Sequence, residues 1–200
     1  MSSPQLILAS ASPRRRELLA LMGVTCTVRP SEIDEALHDG ESPEAYVSRL
    51  ADAKMRAIAD VADVVGSQAV LAADTIVVCD DQILGKPRDR ADALAMLRRL
   101  SGRWHRVLSA VTLRAGGRAG QALTDTAVCF RALDDAECAA DWDSGEPRDK
   151  AGAYGIQGLG GCFVSEIRGS YSGVVGLPMA ETLALLRGAG IPCGPGAVRA

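Results

Sequence analysis

Asparagine is absent from this chain, lysine occurs three times and histidine twice, and aromatic residues make up only 4% of its 200 residues. With His38 and His105 alone, a zinc centre or a histidine-based triad has little material, and none of the six cysteines forms a C-x-x-C pair. Cys26, Cys79, Cys129, Cys138, Cys162 and Cys193 therefore read as reduced thiols, several of them small core residues in strands. His105 stands among strand residues and reads as a packed or edge histidine rather than a catalyst. No apolar run approaches the roughly 18 residues of a membrane span, and the arginines after Met1 follow the apolar residues, the reverse of a signal peptide. A formal net charge of −3 argues against bulk nucleic-acid binding. The expectation is a cytoplasmic protein without a nucleic-acid or membrane partner, in which any phosphate ligand is met by a local cationic cluster.

The scarcity of lysine is itself a signal. Lys54, Lys86 and Lys150 stand against nineteen arginines, so the chain uses arginine wherever a generic cation will do. A lysine kept under that bias suits a place that needs a compact ammonium on a flexible stem. Lys86 and Lys150 lie in the Gly/Pro-punctuated segments Ile83–Asp89 and Pro147–Tyr154, and loops of that kind carry function.

Cations also crowd the opening phrase. Leu6 to Ala9 is a short apolar run with the character of a buried strand; Ser12 then stands at a helix N-cap and Pro13 at the first helical position. Arg14, Arg15 and Arg16 follow, in a first turn where the helix dipole favours acidic residues. Either this is a solvated helix face, or the free N–H groups, the Ser10 and Ser12 hydroxyls and the guanidinium forks form a phosphate cradle.

The remaining pattern is mixed α/β. A second strand is expected over Val24–Arg29, a helix from Pro43 to about Val61, strand–turn–strand over Leu71–Leu84 with the turn at Asp80-Asp81, and a helix over Arg90–Leu100. Alternation from Trp104 to Arg131 around Gly116-Gly117 marks a long hairpin. Helices follow over Asp134–Trp142 and from Leu177-Pro178 to Arg187. The expectation is a single domain over residues 1–188 with a loose tail at 189–200, built as a curved mixed sheet with helices around it and two lobes about a cleft. The run Gly155–Gly161 fails the dinucleotide fingerprint, and Gly85-Lys86-Pro87 is no P-loop.

Asp74 interrupts the apolar run Ala69–Val78, where an unpaired charge would cost several kcal/mol, so something must pair with it. It is either a capped strand end or a metal ligand or general base at the mouth of a phosphate site. Asp34 and Glu35, after the second strand, read equally as a solvated acidic loop or as further carboxylates at the same edge.

Six separated phrases, Ser10–Arg15, Ala73–Val77, Ile83–Pro87, Leu100–Arg103, Asp149–Gln157 and Gly169–Pro178, resemble in order the Maf family of nucleoside triphosphate pyrophosphatases. The resemblance implies a cytoplasmic α/β enzyme of the Maf/inosine triphosphatase-like fold, with a deep cleft between lobes. It implies a homodimer that uses a divalent metal, Mg²⁺ or Mn²⁺, to hydrolyse the α–β phosphoanhydride of a nucleoside triphosphate. The Asp149–Gln157 phrase resembles the branch acting on dTTP and UTP; the branch acting on 7-methyl-GTP carries Glu in place of Gln157. By position in the matching motifs, Ser10, Arg14, Arg15, Lys54 and Lys86 correspond to phosphate-site residues and Asp74 to the catalytic acidic residue. Arg14, Thr75 and Gln157 correspond to specificity positions, and the metal falls to Asp74 with Glu35 or Asp34. The alternatives are a 7-methyl-GTP pyrophosphatase and a nucleotide-sensing inhibitor of cell division.

Overall fold

The computed structural model describes residues 6–61 and 68–195. In chain order the elements are β1 (Leu6–Leu8), α1 (Pro13–Leu21), β2 (Cys26–Val28), α2 (Pro43–Ala59), β3 (Ala69–Cys79), β4 (Gln82–Leu84) and α3 (Arg90–Leu100). They continue with β5 (Trp104–Ala115), β6 (Arg118–Phe130), α4 (Asp135–Asp143), β7 (Val164–Arg168), α5 (Tyr171–Val175) and α6 (Met179–Gly188). Short 3-10 turns at Glu146–Asp149, Ala151–Ala153 and Leu159–Phe163 fill the glycine-rich segment. The strands form a seven-stranded mixed sheet in the order β2-β1-β3-β5-β6-β7, with β4 paired to β3.

The chain divides into two compact units, one of residues 1–74, 109–123 and 176–200, the other of residues 75–108 and 124–175. In the first, β1 runs parallel to both β2 and β3, with Leu6, Ile7 and Leu8 opposite Ala69, Val70 and Leu71. A strand flanked on both sides by parallel partners must be apolar on both faces, and all three residues of β1 are buried. Met55 and Ile58 of α2 close over Ile7, Ala9, Val70 and Ala72. In the second unit the core gathers Val77, Leu97, Leu100, Phe130, Tyr154 and Phe163. His105 belongs to it, stacked edge-on to Phe130 and Tyr154, with its Nε2 2.9 Å from the Tyr154 hydroxyl. Burial pulls its pKa down to about 4, so it is a neutral core histidine, as its strand context suggests.

Most boundaries fall within two residues of expectation; β3 starts at Ala69 rather than Leu71, and α2 ends at Ala59. The sequence pattern did not reveal β7 or α5. β7 is a mostly exposed strand paired antiparallel to β6 across a bulge at Cys129/Phe130, so it carries no apolar alternation. In the segment expected to be a tail, Ile191 and Cys193 are buried and the Gly194 amide donates to the Met22 carbonyl at 2.7 Å. Residues 1–5 and 62–67, and 196–200 of that tail, lie outside the described residues.

One buried carboxylate stands apart. Asp141 of α4 is 3% exposed, and neither of its oxygens accepts a hydrogen bond from the described residues. Burial pushes its pKa up to about 6, Glu146 adds to the rise and Lys150 opposes it. Because the folded state then holds a proton that the unfolded chain has released, Asp141 costs stability as pH climbs from about 4 to 6, and the cost persists above that. Asp141→Asn should match the wild type near pH 4 and exceed it by on the order of 2–3 kcal/mol at pH 7 in urea melts. A difference that stays constant across this range would show that Asp141 is not held protonated.

Candidate functional site

β1 and β2 end beside the middle of the longer β3, at the carboxyl side of the parallel strands, the place where open α/β sheets gather ligands. Past the end of β1 the Ala9 amide still pairs with Leu71, and the chain then turns through Ser10 into α1. Ser12 occupies the N-cap with extended backbone (φ −69°, ψ 116°), yet its hydroxyl caps nothing. By contrast α2, α3 and α4 are each capped by a side chain, from Ser42, Asp89 and Asp134. The first turn of α1 has Pro13 in place of a donor and no acidic residue, so its end keeps the positive potential of its dipole.

Arg15 donates from Nε to the Gly176 carbonyl and from Nη1 to Ser10 Oγ, both at 2.9 Å. Ser10, itself buried, thus fixes the guanidinium as well as accepting the Ser12 amide at 3.2 Å. Burial lowers the Arg15 pKa, Asp74 raises it, Arg14 lowers it and Glu35 raises it, so these three charges lie within electrostatic reach of Arg15. Arg14 is half-buried beside it.

Asp74 lies three residues beyond Leu71, the last β3 residue opposite β1, and is 7% exposed. Its partner is Lys54, whose Nζ is 2.6 Å from Asp74 Oδ1 and 2.7 Å from Glu35 Oε1. On α2 the buried residues are Val47, Leu50, Ala51, Met55 and Ile58, so Lys54 projects from the edge of the apolar stripe. Glu35 reaches the same ammonium because α2 holds its loop: Tyr46 Oη donates to the Glu35 carbonyl at 2.8 Å and Arg49 Nη2 to the Ala36 carbonyl at 2.9 Å. Arg49 also grips Glu41 with two hydrogen bonds of 2.6 and 2.7 Å, which hold the Glu41 pKa down to about 2. Asp34 instead accepts the Ala36 amide at 2.9 Å. Of the two acidic residues, Glu35 therefore faces Asp74 and Asp34 shapes the loop. Tyr46 and Arg49 escaped the sequence reading, because their partners are backbone carbonyls of a folded-back loop.

These donors fit a hard divalent cation. Two carboxylates already converge on one positive charge, and carboxylate oxygens are what Mg²⁺ and Mn²⁺ take alongside waters and phosphate oxygens. No group of three or more His, Cys, Asp or Glu is gathered among the described residues, so such an ion would draw its remaining ligands from substrate and water.

The other expected residues belong to the second unit. Thr75 is half-buried on β3, and Lys86 is exposed in the loop after β4. The Gly85 carbonyl accepts the Gly152 amide at 3.0 Å, which ties that loop to the glycine-rich segment. Gly152 has φ +70°, and a Cβ there would sit 2.9 Å from a Val77 methyl, so only glycine fits. Gln157 is exposed at the tip of a turn. Lys150 is spent within its own loop, donating to the Glu146 carbonyl and pairing with Asp149 at 2.9 Å. A cavity of about 390 Å³ in the same unit, lined by Asp80, Trp104, His105 and Arg168 among others, contains none of the expected site residues.

Residues 5–189 match the family described as Maf-like protein. The chain is 53% identical over 196 residues to a protein of Anaeromyxobacter dehalogenans named dTTP/UTP pyrophosphatase, covering 95% of this chain and 96% of that one. Proteins of the same name from Bordetella parapertussis and Hahella chejuensis are 54% and 50% identical; the first match covers 94% of both chains, the second 94% of this chain and 93% of the other. A distant likeness, with a TM-score of 0.44 and 14% identity over 93% of this chain and 96% of the other, is to a nucleoside-triphosphatase / dITP/XTP pyrophosphatase from Mycobacterium abscessus. With the matched family spanning nearly its whole length, the chain belongs to the Maf-like protein family.

Proposed function

We propose that this protein is a nucleoside triphosphate pyrophosphatase that hydrolyses dTTP and UTP to the monophosphate and pyrophosphate. The observation that carries the reading is the convergence of Asp74 and Glu35 on the Lys54 ammonium, within electrostatic reach of Arg15 at an uncapped helix N-terminus. The dTTP/UTP assignment is supported by the names of relatives at 50–54% identity and by Gln157, an uncharged amide with both a donor and an acceptor for the N3–H and a carbonyl of uracil or thymine.

In this reading the end of α1, with Ser10, Arg14 and Arg15, receives the phosphates, while Lys54 adds a point charge. A water attacks the α phosphorus, its proton passes to an Asp74 oxygen, and the bond from α phosphorus to the bridging oxygen breaks so that pyrophosphate leaves with the electron pair. The cations stabilise the negative charge that gathers on the leaving group. Asp74 and Glu35 would hold Mg²⁺ or Mn²⁺, which when bound neutralises phosphate charge and acts as a hard Lewis acid. Homodimerisation and a cytoplasmic setting belong to the same proposal and rest on the family resemblance; among the described residues no helix is long and apolar enough to cross a membrane.

A nucleotide panel with separate detection of pyrophosphate and orthophosphate tests the proposal. With Mg²⁺ or Mn²⁺ the protein should release pyrophosphate from dTTP and UTP in preference to dCTP, GTP and 7-methyl-GTP. Asp74→Asn should lower the rate at least about a hundredfold while the thermal melt shows an intact fold. Tight binding without pyrophosphate release would indicate a sensor, and preference for 7-methyl-GTP would remove the pyrimidine assignment.

A further inference from the structure

The segment around Gln157 is shaped by a side chain outside the residues assigned so far. Glu146 opens the first 3-10 turn after α4, and its Oε2 accepts the Leu159 amide at 3.0 Å. A Cβ at Gly158 would lie 1.7 Å from Glu146 Oε1, and one at Gly155 would lie 2.9 Å from the same atom and 2.7 Å from Lys150 Cε. The two glycines that bracket Ile156-Gln157 are thus the places where the chain closes over the Glu146 carboxylate. The turn is locked from within as well: the Gly158 amide donates to Gly155 at 3.1 Å and the Gly161 amide to Gly158 at 2.9 Å. At the root of the loop, Lys150 Nζ donates to the Glu146 carbonyl. The carboxylate is therefore a template, gripped by one backbone N–H and enclosed by glycines, with Gln157 presented at the exposed tip.

We infer that Glu146 is a specificity-determining positioning residue, which holds the Gly155–Leu159 backbone so that Gln157 meets a pyrimidine in one orientation. This rests on the reading of Gln157 as the residue that recognises the base. An amide free to turn over can satisfy cytosine as well as uracil, because the half-turn exchanges its donor and acceptor. Selectivity for uracil and thymine then also needs the amide held at one distance and angle from the base edge, and the backbone that carries it sets that reach. Glu146 touches no reacting atom in this account, so its loss acts on discrimination and KM more than on kcat.

The test compares kcat and KM for UTP and CTP in the wild type, Glu146→Ala, Glu146→Gln, Gly158→Ala and Gln157→Ala. Glu146→Ala removes the template, and Gly158→Ala expels its carboxylate from the other side. Both should lower the UTP:CTP ratio of kcat/KM about tenfold, chiefly through KM for UTP, with kcat for UTP within about threefold of wild type. Glu146→Gln, whose amide oxygen can still accept the Leu159 N–H, should restore most of the ratio. A ratio unchanged in Glu146→Ala and Gly158→Ala, while Gln157→Ala collapses it, would overturn the positioning role alone. A ratio unchanged in Gln157→Ala would overturn the base-reading assignment and this inference with it. An equal loss on both nucleotides with a lowered melting temperature would reduce Glu146 to a structural residue.

Discussion

The site of this protein depends on one ammonium group shared by two carboxylates. Lys54 lies within 2.7 Å of both Asp74 and Glu35 and is itself largely enclosed, its side chain only 13% exposed. Without it, Asp74 would be a nearly buried charge at the centre of an apolar strand, an arrangement that costs several kcal/mol. With it, an acidic strand residue and an acidic loop residue are drawn to one point. The same positive centre explains how two like charges can be kept together in the absence of substrate.

The architecture serves that convergence. β1 runs parallel to both β2 and β3, so the carboxyl ends of β1 and β2 bring Ser10 and the loop of Glu35 beside Asp74, which lies midway along β3. α2 contributes to the core through Met55 and Ile58 and to the site through Lys54, and it anchors the Glu35 loop through Tyr46 and Arg49. Packing and chemistry are thus tied to one helix, and a shift of α2 that disturbed the core would also displace the cation and the loop. At the end of α1 the logic is reversed: stability is forgone, with no side-chain cap from Ser12 and no acidic first turn, so the positive end of the dipole is not offset there.

Much of this was legible in the residues. Local pattern located α2, α3 and α4, with Ser42-Pro43 marking the start of α2, and in the structure the side chains of Ser42, Asp89 and Asp134 cap these helices. The charge in the middle of β3 announced that Asp74 needed a partner, and the rarity of lysine flagged Lys54 together with Lys86 and Lys150. The choice between Asp34 and Glu35 was not legible, since adjacent residues in an irregular loop carry no periodicity to say which faces inward. Nor was the role of Glu146: its trace is the glycine pair at positions 155 and 158, whose meaning depends on a carboxylate nine residues or more earlier in the chain. Lys150 shows the converse case, a lysine flagged by rarity whose ammonium serves its own loop.

On the proposed reading, Asp74 and Glu35, and not Asp34, form one cation-directed pair. This is tested most directly by calorimetric titration of Mn²⁺ into the protein saturated with an α,β-imido analogue of dUTP, which cannot be cleaved at that bridge. Asp74→Asn and Glu35→Gln should each weaken Mn²⁺ binding at least about tenfold, as loss of one charged ligand from a small donor set requires, and Asp34→Ala should leave it within about twofold. Equal weakening by Asp34→Ala, or unchanged binding in Glu35→Gln, would contradict the account.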